Sequence, residues 1–285
     1  MALSHFLVSY QLTLTCNDSK VDALAPLSIE KVLIEYFKNK KRRVIVDKYL
    51  KLDKVPQFSE HLAHGTFKAG DRGFTAEIID SETDELVVKK KVQDVQALPY
   101  FFMASCFTFK NAILILQRAG HFGIKSALEE DLVSFCEKKF PQYRISFVMR
   151  TQDGVAQKFF ERAKFTALRF ETNQVPKEVE DSLRDHDGSY SAEIRITKRS
   201  IIDRLVQMVT SAKSRKDFKL YNTPISRIKV ESSVGGRKAT FSLGAIADTD
   251  IAFEIDKKYI KEDGHPDYDQ MCVFAKNIIN DLTKK

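Results

Sequence analysis

The residues best placed to do chemistry are cations. Between positions 186 and 247 stand Arg195, Lys198, Arg199, Arg204, Lys213, Arg215, Lys216, Lys219, Arg227, Lys229, Arg237 and Lys238. Five acids oppose these twelve: Asp187, Glu193, Asp203, Asp217 and Glu231. Twelve minus five is +7, the formal net charge of the whole chain, so the rest sums to zero. Cations gathered in this way neutralise phosphates and release their counterions. Lys198, Arg199 and Arg204 flank the start of an expected helix, whose N-terminal dipole also favours phosphate. Lys213, Arg215, Lys216 and Lys219 follow its end, and Arg237 and Lys238 leave a Gly235-Gly236 turn. Phe218 and Tyr221 are the nearest aromatics, which favours contact with a duplex backbone over base stacking on a single strand. The plain alternative is a solvated basic face balancing the acidic stretch 248–269.

Signs of catalysis are few. The chain has no G-x-x-x-x-G-K-[ST] phosphate loop, no G-x-G-x-x-G turn and no G-x-S-x-G elbow. His61 and His64 form H-x-x-H in a polar context with neither helical pattern nor carboxylate partner, a poor start for a metal site. Asp248, Asp250, Glu254 and Asp256 precede Lys257 and Lys258. Metal-dependent nucleases place two carboxylates and a lysine at a strand end, where metals clamp the reacting phosphate. Asp250, Glu254 and Asp256 alternate with Ile251, Phe253 and Ile255, which puts three acids on one strand face. A solvated strand face has the same pattern and is commoner, and nothing else completes a site. No catalytic residue, metal ligand or cofactor is therefore assigned.

The elements that must position these groups can be read in outline. Residues 5–14 alternate as a strand. Residues 27–37 read as a helix with Ser28 as N-cap and Ile29, Val32, Leu33, Tyr36 and Phe37 on one face; Lys38, Lys40, Lys41, Arg42 and Arg43 then read as a solvated helix end. A strand over 43–52, a hairpin of 74–80 with 86–91, and strands over 100–109 and 112–117 follow, the last nearly all apolar and so central. Ser126 and Glu129 read as a capping box opening a helix with Leu128, Leu132, Phe135 and Cys136 inward, stopped by Pro141. A strand at 143–149 closes the first half, and 151–154 reads as a hinge. Beyond it the pattern predicts helices at 155–163, 176–183 and 200–212, and strands at 165–170, 190–197 and 251–255. A hairpin of 225–234 with 237–243 turns at Gly235-Gly236. A closing helix over 266–284 opens on Pro266 with Met271, Phe274, Ile278 and Leu282 inward.

The block Ala97-Leu98-Pro99-Tyr100-Phe101-Phe102, the apolar strand 112–116, and Gly120-His121-Phe122-Gly123 leading into a helix resemble the A-protein family of the phage lambda Rex exclusion system. The second half is similar in organisation: a basic strand and helix at 194–212, a hairpin at 225–243 and a long closing helix. The likeness lies in hydrophobic spacing. It implies a dimeric, sequence-nonspecific DNA-binding protein that senses phage replication inside the cell and signals to a membrane effector encoded beside it. That family offers no catalytic motif to carry over.

At 285 residues, 43% hydrophobic and 30% charged, the chain has the length and composition of a folded protein with a large core. Mixed hairpins and helices without regular βαβ alternation indicate α+β: largely antiparallel sheets with packed helices, in two domains, 1–153 and 154–285. Cys16, Cys106, Cys136 and Cys272 are scattered in apolar contexts and read as buried free thiols of a reducing compartment, so the expected location is cytoplasmic. The longest apolar run, 97–107, is shorter than the ~20 residues a bilayer requires, and no direct membrane insertion is expected. The expectation is a homodimeric protein binding the phosphate backbone of double-stranded DNA, with a membrane effector as a further partner. Two alternatives are a metal-dependent defence nuclease using residues 250–258, and an interaction module for an acidic protein.

Overall fold

The computed structural model describes residues 4–17, 26–38, 43–45, 48–53, 57–59, 61–71, 73, 75–148, 164–172, 192–197, 219–220, 223–224, 227–234, 237–244 and 249–283. Their architecture is α+β with largely antiparallel strand pairing. Contacts divide the chain into two compact units. One holds Met1–His5, Tyr10–Val148 and Lys258–Asn280; the other holds Phe6–Ser9, Met149–Lys257 and Asp281–Lys285. Strand β1 (His5–Cys16) contributes to both.

In the first unit, strands β2 (Arg43–Ile45), β3 (Lys48–Leu52), β5 (Leu62–Asp71), β8 (Leu98–Cys106) and β9 (Asn111–Ala119) lie in the order β2-β3-β5-β8-β9. β4 (Gln57–Ser59) pairs with β5, β10 (Phe122–Gly123) with β9, and β11 (Tyr143–Val148) with residues 11–16 of β1. The strand expected over 43–52 is two strands: Ile45 pairs with Lys48 and Arg43 with Leu50, so the segment folds back on itself. Tyr100, Phe101, Phe102, Met103 and Ala104 are consecutive in β8 and all buried. Such a run belongs to a strand covered on both faces. Helix α1 (Ile29–Lys38) covers one: Phe37 stacks on Phe102 at 4.8 Å, and Phe67 meets the same ring at 4.9 Å. Helix α3 (Tyr268–Thr283) covers the other, where Tyr268 meets Phe101 edge-on at 5.7 Å. Burying side chains of this size is worth about 1.5–3 kcal/mol each.

The helices begin for identifiable reasons. Ser28 Oγ accepts a hydrogen bond from the Lys31 N–H at 3.2 Å, the N-cap expected for α1. Helix α2 (Lys125–Lys139) differs from expectation. Its N-cap position is Ile124, with no side-chain cap, and Ser126 lies inside the helix. Glu129 pairs with Lys125 one turn back instead of closing a capping box. A tight turn sets that start: Gly120 takes a φ of 55°, a left-handed conformation that suits glycine, and Ala119 pairs with Phe122 around it. Helix α3 begins two residues after Pro266, which bridges to Ile260; Asp267 caps it, accepting from the Gln270 N–H at 3.0 Å.

In the second unit, strands β13 (Ala192–Ile196), β12 (Lys164–Thr172), β16 (Arg227–Val234), β17 (Arg237–Gly244) and β18 (Thr249–Glu254) lie in that order. Phe6, Leu7 and Val8 of β1 then pair with Glu254, Phe253 and Ala252. Leu7, Leu168, Phe170, Ile228, Val230 and Phe253 are buried. The hairpin expected over 225–243 forms as β16 and β17. The helices expected at 155–163, 176–183 and 200–212, the Gly235-Gly236 turn and the hinge at 151–154 lie outside the described residues.

Candidate nucleic-acid interface

Of the nine cations expected to contact DNA, Lys198, Arg199, Arg204, Lys213, Arg215 and Lys216 lie outside the described residues. Lys219 opens the short strand β14 (Lys219–Leu220), opposite Pro224 of β15 (Thr223–Pro224). Arg237 stands opposite Val234 and Lys238 opposite Ser233, at the β16–β17 turn. The Lys238 side chain is 84% exposed and its Nζ lies 4.0 Å from the Glu254 carboxylate. At that exposure and distance solvent screens the pair, leaving the ammonium available to an anion.

The register of this sheet lines up further cations. Arg169 of β12 pairs with Arg195 on one side and Lys229 on the other, a cross-strand row of three. Like charges side by side repel unless an acid intervenes. Glu231, two residues along β16, supplies it: one carboxylate oxygen pairs with Arg169, and the other accepts from Arg195 at 2.9 Å. A guanidinium bound to a carboxylate has fewer donors left for phosphate. Arg169 lies outside the 186–247 cluster, and only strand pairing brings it to Arg195.

Of the three carboxylates expected on one strand face, Glu254 and Asp256 are exposed on either side of the buried Ile255, and the Asp250 side chain lies outside the described residues. Asp256 lies beyond the end of β18. Glu254 is exposed beside Lys238, while Ala252, Phe253 and Ile255 are buried. Among the described residues no group of three or more His, Cys, Asp or Glu side chains is arranged to hold a metal ion.

The two histidines of H-x-x-H part company. His61 is exposed, with its Nδ1 3.0 Å from Glu30, a carboxylate partner that its sequence neighbourhood does not show. His64, for all its polar sequence context, is buried in β5, its Nδ1 2.9 Å from the Tyr268 hydroxyl and 3.4 Å from Cys272 Sγ. Burial, with a smaller push from Lys276, lowers the His64 pKa. A neutral imidazole with its proton on Nε2 accepts a hydrogen bond from the Tyr268 hydroxyl there. Cys136 is buried, while Cys16, Cys106 and Cys272 are half-buried, so the expectation of four fully buried thiols is too strong. Burial, aided by Glu30, pushes the Cys106 thiol up to about 12.

The first unit also contains a cavity of about 270 Å³ at the start of α2, lined by Lys48, Asp71, Arg118, His121 and Lys125 with Tyr49 and Tyr100 in its wall. Its cations, Lys48, Arg118 and Lys125, come from two separate stretches of sequence, so composition gives no sign of it. No helix among the described residues is long and apolar enough to cross a membrane. No protein-family model matches this chain, nor does any curated protein.

Proposed function

We propose that this chain binds double-stranded DNA through its phosphate backbone with little sequence preference, using the basic residues within 186–247. One observation carries the reading: residues 186–247 hold a charge of +7, the net charge of the entire chain. The exposed Lys238 is consistent with it. Homodimerisation and a role as a sensor in phage exclusion, signalling to a membrane effector, complete the proposal on the strength of the resemblance alone.

Phosphate contacts make affinity depend on salt, because each neutralised phosphate releases counterion. Fluorescence anisotropy with labelled duplexes of unrelated sequence tests this across sodium chloride from about 50 to 200 mM. The expected result is similar affinity for every duplex, falling linearly on a log–log plot. No binding at low salt, or binding indifferent to salt, rejects the proposal.

A further inference from the structure

Six of the eleven large hydrophobic side chains exposed among the described residues fall within one short stretch: Ile78, Ile79, Leu86, Val87, Val88 and Val92. Five of them belong to strands β6 (Ala76–Ile79) and β7 (Leu86–Lys90), which form a two-stranded sheet of their own. A lone two-stranded hairpin is marginally stable in water, and an exposed apolar patch marks an interaction surface. Yet this hairpin is well specified. The Asp80 carboxylate accepts from the Glu82 and Thr83 N–H groups at 2.8 and 3.1 Å, and Asp84 takes a φ of 61°. Glu77 pairs with Lys89 at 3.3 Å. At the base Lys90 is buried, its Nζ donating to the Asp71 carbonyl at 3.3 Å.

Charge runs lengthwise along the hairpin. The turn carries Asp80, Glu82, Asp84 and Glu85, the base carries Lys89, the buried Lys90 and the exposed Lys91 against the single acid Glu77, and the apolar residues lie between. That polarity selects the occupant. An acidic turn repels DNA, and carboxylates are costly to bring into a bilayer. A second hairpin laid parallel would set acid against acid, which is unfavourable. Laid antiparallel, it sets each acidic turn against the other's lysines and covers the apolar middle of both. Centring two β7 strands on Val88, for example, brings Glu85 of one copy opposite Lys91 of the other. Such an arrangement is two-fold and closed, the ordinary form of a dimer interface.

We propose that the hairpin of β6 and β7 is the surface through which two copies of this chain associate, head to tail. This deepens the homodimer part of the reading above and does not depend on DNA binding. Light scattering on the full chain at micromolar concentration should give twice the chain mass of 32.6 kDa. The Val87→Glu/Val88→Glu variant should give half that mass while keeping the wild-type circular-dichroism spectrum, because both positions are solvent-exposed in the single chain. A charge exchange tests orientation. One variant reverses the turn (Glu82→Lys, Glu85→Lys), sparing Asp80 and Asp84, whose backbone roles fix the turn. The other reverses the base (Lys91→Glu, with Glu77→Lys and Lys89→Glu exchanging the internal pair). Each alone should be monomeric, and mixing them should restore the dimer. A wild-type monomer overturns the surface and the homodimer together. A dimer that survives Val87→Glu/Val88→Glu overturns the surface alone, and reversed variants that fail to pair on mixing overturn the head-to-tail arrangement.

Discussion

Single side chains decide how this protein answers to pH. The His5 Nε2 donates to the Gly264 carbonyl at 3.0 Å, and its Nδ1 accepts from the Gln117 amide at 3.3 Å. Gln117 Oε1 in turn accepts from the Phe101 N–H at 2.9 Å. A protonated ring would set a second donor against the Gln117 amide. Burial lowers the His5 pKa, partly offset by the Gly264 bond, with His265 adding to the fall; burial and Lys276 lower that of His64. A histidine whose folded-state pKa is depressed takes up its proton more readily in the unfolded chain. Its contribution to stability is therefore full above the ordinary value of 6.5 and is lost as pH falls through that value toward the depressed one. Thermal melts between about pH 7.5 and 5.5 should show a falling midpoint, and His64→Gln should flatten that slope. An equally steep slope in the variant would refute the assignment to His64. Glu231 yields a second test. Replacing it with Gln frees Arg169 and Arg195 from their shared carboxylate, at a cost of about 1 kcal/mol for a partly exposed cluster. Under the DNA-binding proposal, Glu231→Gln should bind duplex more tightly and with a steeper salt slope. Unchanged or weaker binding would remove this sheet face from the interface.

At the scale of elements, what local chemistry decides was legible in the sequence. Helix α1 has its Ser28 cap and its apolar face of Ile29, Val32, Leu33, Tyr36 and Phe37. The apolar run of β9 is buried, as expected of a central strand. What depends on partners distant in sequence was not legible. His64 reads as polar surface because Tyr268 and Cys272, which surround its ring, lie in a helix near the other end of the chain. Ser126 and Glu129 have capping-box spacing, but the turn at Gly120 starts α2 earlier and Glu129 takes Lys125 as its partner. Pro266 fits the first position of a helix, yet Asp267 holds the cap. Of the expected DNA-contacting cations, Lys238 is the one whose side chain the structure describes. The Asp267 cap makes a third test. Asp267→Ala should lower the melting midpoint by roughly 2–4 °C, the usual effect of a lost cap in a chain of this size or a little smaller, while Asp267→Asn should restore most of it. Equal losses in both would move the effect to the ion pair with Lys261, which Asn cannot make.

At the scale of the whole molecule, the two proposals meet in one measurement. If two copies join through the β6–β7 hairpin, the dimer brings two +7 segments to one duplex, and the salt slope counts the contacts of both. The monomeric Val87→Glu/Val88→Glu variant should then bind DNA with about half the wild-type slope. A full slope in that monomer would mean that one copy makes every contact. The path of the first strand has a further consequence, for synthesis. Phe6, Leu7 and Val8 pair with Glu254, Phe253 and Ala252, which are made long after them. Helix α3, which covers Phe101, comes later still. Contacts this distant in sequence slow folding, because a long loop must close before they form. Neither unit can complete its core until residues 249–280 have been made. The nascent chain carries an unpaired apolar strand until residues 252–254 arrive, the period in which a chaperone has most to protect.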